Sequence, residues 1–140
     1  LSAAVKIFIP KKLKSLSSKE KGFLGEERVV NFLMEKNYQI LFRNWRTKFG
    51  EIDIIALDKS NKKGNTLVFF EVKTLPSGNA ETLEKELSFT KQKKIVKTSK
   101  CFLLEYRQYK YDYIRYDVVV VDMPGQEPIW HIENAFSEYS

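Results

Sequence analysis

The chain has 140 residues, enough for one domain with its own hydrophobic core. Hydrophobic residues make up 43% and charged residues 30%, and 24 Lys plus Arg against 18 Asp plus Glu leave a net charge of +6, which suits a polyanionic partner. One cysteine, Cys101, excludes an intrachain disulfide; with a single histidine it also excludes a Cys/His zinc cluster.

No apolar run approaches the ~18 residues of a membrane span, so no membrane partner and a cytoplasmic setting are expected. Residues 1–16 carry Lys6, Lys11, Lys12 and Lys14 and read as a flexible basic arm, with a DNA-binding arm as the alternative. Lys6 and Pro10 interrupt its apolar residues, so it is not read as a secretory signal. Residues 17–140 are expected to form one domain.

A helix is predicted from Ser17 or Ser18 to about Lys36, with Glu20 placed for a capping box. Phe23, Val29, Val30, Leu33 and Met34 form its apolar stripe, and at about 100° per residue Glu26 falls near the stripe's centre. Glu27 falls at the edge and Arg28 points away. A carboxylate amid apolar side chains is either functional or tolerated by the helix dipole near the N-terminus.

"YQILFRNW" (38–45) alternates and reads as a strand; "EIDIIALD" (51–58) is the next. Ile52, Ile54 and Ala56 are expected on one face of it, and Glu51, Asp53, Ile55 and Leu57 on the other. A third strand spans 66–74, where "LVFFEVKT" is apolar on both faces, as a central covered strand is, until Glu71 and Lys73. Residues 75–87, with Pro76, Gly78 and Asn79, read as a loop.

A second helix is predicted over 88–109, with Ile95, Val96, Ser99, Phe102, Leu103 and Tyr106 inward and Gln92 on the same line. Lys91, Lys93, Lys94, Lys97 and Lys100 mostly crowd its outside. "IRYDVVVVD" (114–122) is a buried strand, and "PIWHIEN" a short edge strand. The order α-β-β-β-α-β describes a single α/β domain.

The short loop between the second and third strands implies antiparallel neighbours, which brings Asp53 within reach of Glu71. Two carboxylates that close repel unless a proton or cation lies between them, and a hard divalent ion takes one or two carboxylates plus waters. Lys73 would stand beside such an ion, Glu26 could add a ligand, and Gln92 could steady a water or phosphate. The plain alternative is a structural ion pair at a strand end.

The order Glu26, Asp53, Glu71-Val72-Lys73, Gln92 resembles the active-site pattern of the PD-(D/E)xK, or restriction-endonuclease-like, superfamily. More closely, the chain is similar to the YraN family of small bacterial proteins. The matching segments include "GFLGEE" (22–27), "RNWR" (43–46), "GEIDIIA" (50–56), "VFFEVKT" (68–74), "KQKK" (91–94), "RYDVVVV" (115–121) and "HIENAF" (131–136). The resemblance implies a helix-flanked mixed sheet of the kind seen in archaeal Holliday junction resolvases, and Mg2+- or Mn2+-dependent phosphodiester cleavage of DNA, with branched or damaged forms as candidate substrates.

It further implies Asp53 and Glu71 as metal ligands with the Val72 carbonyl assisting, Lys73 as the water-activating or transition-state residue, Glu26 as the resolvase-like helix acid and Gln92 as a second-helix motif. RNA is not excluded as a target, a homodimer is possible by analogy, and a nucleic-acid binder without turnover is the competing reading. Two positions depart from the family: Leu75 stands where Arg is usual, and Val29 where a small Ala is common.

Around this pattern, Arg43, Arg46, Lys91 and Lys94 are candidate nucleic-acid contacts. Trp45 reads as a half-buried strand aromatic, and "YRQYKYDYIRY" (106–116) as a solvated helix end and strand entrance or a single-strand-binding surface. Arg115 and Asp117 are expected to pair, His131 to be structural, and Cys101 to be a partly buried helix residue without an activating base.

Overall fold

The first helix begins where its sequence can satisfy its own free amides. The structure, a computed structural model, describes residues 16–139, so nearly all of the expected basic arm lies outside the described residues. Helix α1 (Ser18–Glu35) is capped by Ser17, whose side chain accepts from the Glu20 N–H while the Glu20 carboxylate accepts from the Ser17 N–H. Val29, Val30 and Leu33 are buried, as the stripe requires, but Phe23 and Met34 are each 58% exposed. Both sit roughly 80–100° around the helix from the buried centre, at the stripe's edges.

Strands β1 (Tyr38–Thr47), β2 (Gly50–Asp58), β3 (Thr66–Thr74), β4 (Tyr113–Val121) and β5 (Ile129–Phe136) form one five-stranded sheet in sequence order. All neighbours are antiparallel except β3 and β4, which are parallel. A parallel pair needs a crossover. Here it contains α2 (Ala80–Glu86) and α3 (Phe89–Glu105). The expected loop at 75–87 therefore contains a helix: Asn79, read as a breaker, is its N-cap, in a reciprocal pair with Thr82. Helix α3 stops at Glu105 rather than 109, and the edge strand is a full eight residues.

The sheet separates two cores. On one face Leu67, Phe69, Val118 and Val120 pack with Ile95 and Phe102 of α3; on the other Val68, Phe70, Val119 and Val121 pack with Val29, Val30 and Leu33 of α1. The protein is thus a mixed α/β fold with helices on both faces, and β3 is central and covered on both sides, as its two apolar faces predict. Leu75 is buried in the α3-side core and Val29 in the α1-side core, so both departures from the family pattern are packing residues here.

Candidate active site

The site forms where two strands lose their regular alternation. Arg43 faces Ile54 and Trp45 faces Ile52, yet Asn44 and Asp53 between them are not a register pair, and Asn44 has a φ of 51°. Asn tolerates this left-handed conformation better than most residues. Both strands change face at this step: Phe42 and Ile55 belong to the α3-side core, and so do Trp45 and Ile52. Ile52 therefore lies on the face opposite to the expected one, because alternation presumes an unbroken ladder.

The β2–β3 register ends at Ile54–Phe70, immediately before Asp53 and Glu71. The Asp53 carboxylate lies in the fork, where its Oδ2 accepts from the Val72 N–H at 2.8 Å. Burial, followed by the negative charge of Glu71, pushes Asp53 up to about 8; the Val72 N–H opposes this, and Glu26 and Glu51 add to it. Asp53 and Glu71 thus act on one another electrostatically, as their strand positions predict.

Glu71 is buried and has two cations near it: Lys73 Nζ at 3.4 Å and Lys91 Nζ at 3.5 Å from Oε2. Lys73 also lies 3.7 Å from Glu86 of α2. Lys91, expected mainly on the outside of its helix, instead shares the buried line of Ile95, Thr98 and Phe102, within about 40° of each, and reaches the site from there. Gln92 does not reach toward the carboxylates through any bond seen here; its Nε2 donates to the Leu87 carbonyl at 2.9 Å and ties the α2–α3 turn together.

Glu26 approaches from α1. Its Oε1 accepts from Asn44 Nδ2 at 3.0 Å and lies 3.5 Å from Arg43 Nη2. Burial raises its pKa, and Arg43 and Asn44 hold the rise in check. Arg43 also pairs with Glu27 at 2.6 Å, yet its buried Nε and Nη2 find no hydrogen-bond acceptor among the described residues. Arg46 is exposed and 3.4 Å from Glu51, and Lys94 is exposed on α3. Sequence reasoning missed Asn44, Glu51 and Glu86 at this site; an Asn between two Arg on a strand was the only signal for the first.

Gly25 fixes how closely α1 approaches: a Cβ there would collide with Thr74 Oγ1. Beside this contact, a cleft of about 410 Å3 runs between α1 and the end of β3, lined by Gly25, Arg28, Thr74 and Asp122. Among the described residues no group of three or more His, Cys, Asp or Glu side chains converges into a ready metal cage. The arrangement is a two-carboxylate pair with a third carboxylate held at a distance.

The segments that build this site, from Gly25 to the end of β4, coincide with a known family. The profile of the uncharacterised protein family UPF0102 matches residues 25–121. The chain belongs to the UPF0102 family. A UPF0102 protein of Treponema denticola is 44% identical over 123 residues, covering 84% of this chain and 95% of the relative. UPF0102 proteins of Alkaliphilus oremlandii and Geobacter metallireducens are 40% and 41% identical, covering 85% and 87% of this chain and 99% and 96% of theirs. In this UPF0102 chain the matched region takes in Glu26, Asp53, Glu71, Lys73 and Gln92 together. No described helix is long and apolar enough to cross a membrane.

Proposed function

We propose that this protein is a divalent-metal-dependent nuclease that hydrolyses phosphodiester bonds of DNA, with Asp53, Glu71 and Lys73 as its working groups. The observation that carries this reading is the fork itself. A half-buried carboxyl pushed up to about 8 stands beside a buried carboxylate where the strand ladder ends. Such an arrangement raises the energy of the ionised native state and is typical of functional sites rather than of scaffolding. The resemblance to the PD-(D/E)xK pattern adds to it by analogy.

The donor set fits magnesium or manganese: hard oxygens, two carboxylates, and a shortfall of positive charge around Asp53. Asp53 and Glu71 would hold the ion, with waters and substrate phosphate filling the other positions. Glu26 fits less well as a direct ligand, because its Oε1 already accepts from Asn44 and lies near the Arg43 guanidinium. When bound, the metal would polarise the phosphate and lower the pKa of its water. Lys73, its ammonium now shared between Glu71 and Glu86, is placed to hold the attacking water or a non-bridging phosphate oxygen. Asn44 and Arg43 hold Glu26 beside the fork, where its charge adds to the pull on a cation.

One observation favours a second reading. Lys73 and Lys91 already surround Glu71, so the site could persist without metal in a protein that binds nucleic acid but does not cleave it. The test is a panel of linear, supercoiled, single-stranded and four-way-junction DNA incubated with manganese, with Glu71→Ala as the blank. Cleavage by wild type that Asp53→Ala and Lys73→Ala lose supports the nuclease. Metal-independent, salt-sensitive binding without cleavage on every substrate supports the binder.

A further inference from the structure

Helix α3 carries a second feature that the cleavage chemistry leaves unused. From Gln92, next to the Lys91 that reaches Glu71, a groove of about 270 Å3 runs along the outer face of the helix. Phe89 and Val96 give it apolar surface, and Lys93, Lys97 and Lys100 give it charge. Phe89 is 53% exposed, so part of its ring is open to a ligand.

The lysines of the groove are not equivalent. Lys100 is neutralised by Glu138 at 2.9 Å. Lys93 and Lys97 have no carboxylate within ion-pair distance among the described residues; their ammonium groups rest instead on aromatic rings, 4.6 Å from the centroid of Phe89 and 4.2 Å from that of Phe49. An exposed cation–π contact of this kind is weaker than a base stacked on an aromatic ring, so a base can displace the ammonium from Phe89. The freed ammonium then has a phosphate to pair with. Lys93 and Lys97 are one helical turn apart, about 6 Å along the axis, a step that an extended sugar–phosphate chain can follow. A groove of about 270 Å3 takes in a base or two but not a whole duplex.

We infer that this groove binds a single-stranded nucleic-acid segment leading away from the cleavage site, with a base stacked on Phe89 and phosphates on Lys93 and Lys97. The inference rests on the reading of the fork as a nucleic-acid site and narrows its substrate to one with a single-stranded arm. An acidic peptide would use the lysines but not the exposed ring, and a duplex, its bases already stacked on one another, would also leave the ring unused.

The test is fluorescence anisotropy of the full chain with labelled dT15, rU15 and a blunt 15-base-pair DNA duplex, in EDTA so that no cleavage intervenes. At least one single strand is expected to bind about tenfold or more tighter than the duplex, and which one does so names the sugar. Phe89→Ala is expected to weaken single-strand binding about tenfold with an unchanged salt slope, while Phe89→Trp keeps it. Lys93→Ala/Lys97→Ala is expected to reduce the slope of log affinity against log salt by roughly 1.4, about 0.7 for each lost phosphate contact.

Equal binding of duplex and single strands, an unchanged slope in the double variant, or full affinity in Phe89→Ala overturns the inference. So does displacement of dT15 by a polyglutamate peptide of equal charge. Because the measurement needs neither metal nor turnover, single-strand binding with absent cleavage would sink only the nuclease reading. Cleavage without single-strand preference would sink only this one.

Discussion

Two aspartates on neighbouring levels of the same sheet, one fully buried and one half-buried, meet opposite fates. Asp117 on β4 is fully buried and has every oxygen engaged: Arg115 donates twice, at 2.8 and 2.9 Å, the Asn134 N–H donates at 2.9 Å, and His131 Nε2 lies at 2.7 Å. Burial alone would raise its pKa, but these partners prevail and hold it below the usual range. Asp53 has one backbone amide and a facing carboxylate, and it is pushed up to about 8. The first carboxylate belongs to the scaffold because its charge is met; the second is a candidate for chemistry because its charge is not.

The largest effect expected from this contrast is on cleavage. Asp53→Ala, Glu71→Ala and Lys73→Ala should each lower manganese-dependent DNA cleavage at least about a hundredfold, as measured by nicking of supercoiled plasmid. Asp117→Asn should leave cleavage per folded molecule intact. If Asp117→Asn abolishes activity in a folded protein, the division between scaffold and site is wrong.

The next effect is on stability, and there the order reverses. Removing the Asp117 charge leaves Arg115, its side chain 16% exposed, with Asp58 and Glu133 as the remaining carboxylates beside it among the described residues. Asp117→Asn should destabilise by about 3–5 kcal/mol in urea titration, the usual effect of breaking a buried pair. The pH dependence follows in sign. A carboxylate with a lowered native pKa stabilises above its unfolded value, roughly pH 4, and that stability is lost as pH falls through the native value. Wild type should therefore lose stability in acid below about pH 4, and Asp117→Asn should show less of that loss.

How far the sequence foretold this contrast depends on how local each feature is. The strands and their two-sided burial were readable because alternation is a property of consecutive residues, and Glu71 and Lys73 stood out by interrupting it. Asp53 and Glu71 could be paired from the short hairpin alone. The face change at Asn44 and Asp53 was not readable, since it depends on two strands breaking step together. Helix α2 was hidden because Gly78 and Asn79 mark a helix cap and a loop with the same residues. The reach of Lys91 to Glu71 was readable and missed: at about 100° per residue Lys91 shares the buried line of Ile95, Thr98 and Phe102, against its expected place among the outer lysines.

A smaller effect of opposite sign tests the other aspartate. Asp53→Asn keeps an oxygen for the Val72 N–H and removes the cost of holding in the fold an ionisable carboxyl that burial and Glu71 push up to about 8. It should raise stability by about 0.5–2 kcal/mol, as neutralising a strained functional group commonly does. Millimolar manganese should raise the melting midpoint of wild type and not that of this variant. A destabilised Asp53→Asn would mean that the carboxylate is structural after all, and the contrast with Asp117 would dissolve.

The smallest effect comes from Lys91, and it separates the two ways in which the charge of Glu71 can be met. Its side chain is 38% exposed and its ammonium is 3.5 Å from Glu71, so solvent screens the pair, and Lys91→Ala should change stability by no more than about 1 kcal/mol. Yet that ammonium competes with any metal for the same carboxylate. Removing it should shift the manganese concentration that stabilises the protein downward by a few-fold, as read from melting midpoints across a titration. Lys73 is less exposed, at 20%, and is bound up with both Glu71 and Glu86, so it cannot be removed without disturbing the chemistry as well. If Lys91→Ala instead weakens the response to manganese, Lys91 is part of the binding arrangement and not its competitor. The unmet charge would then reside on Asp53 alone, and the metal would have to be sought on that oxygen rather than between the two carboxylates.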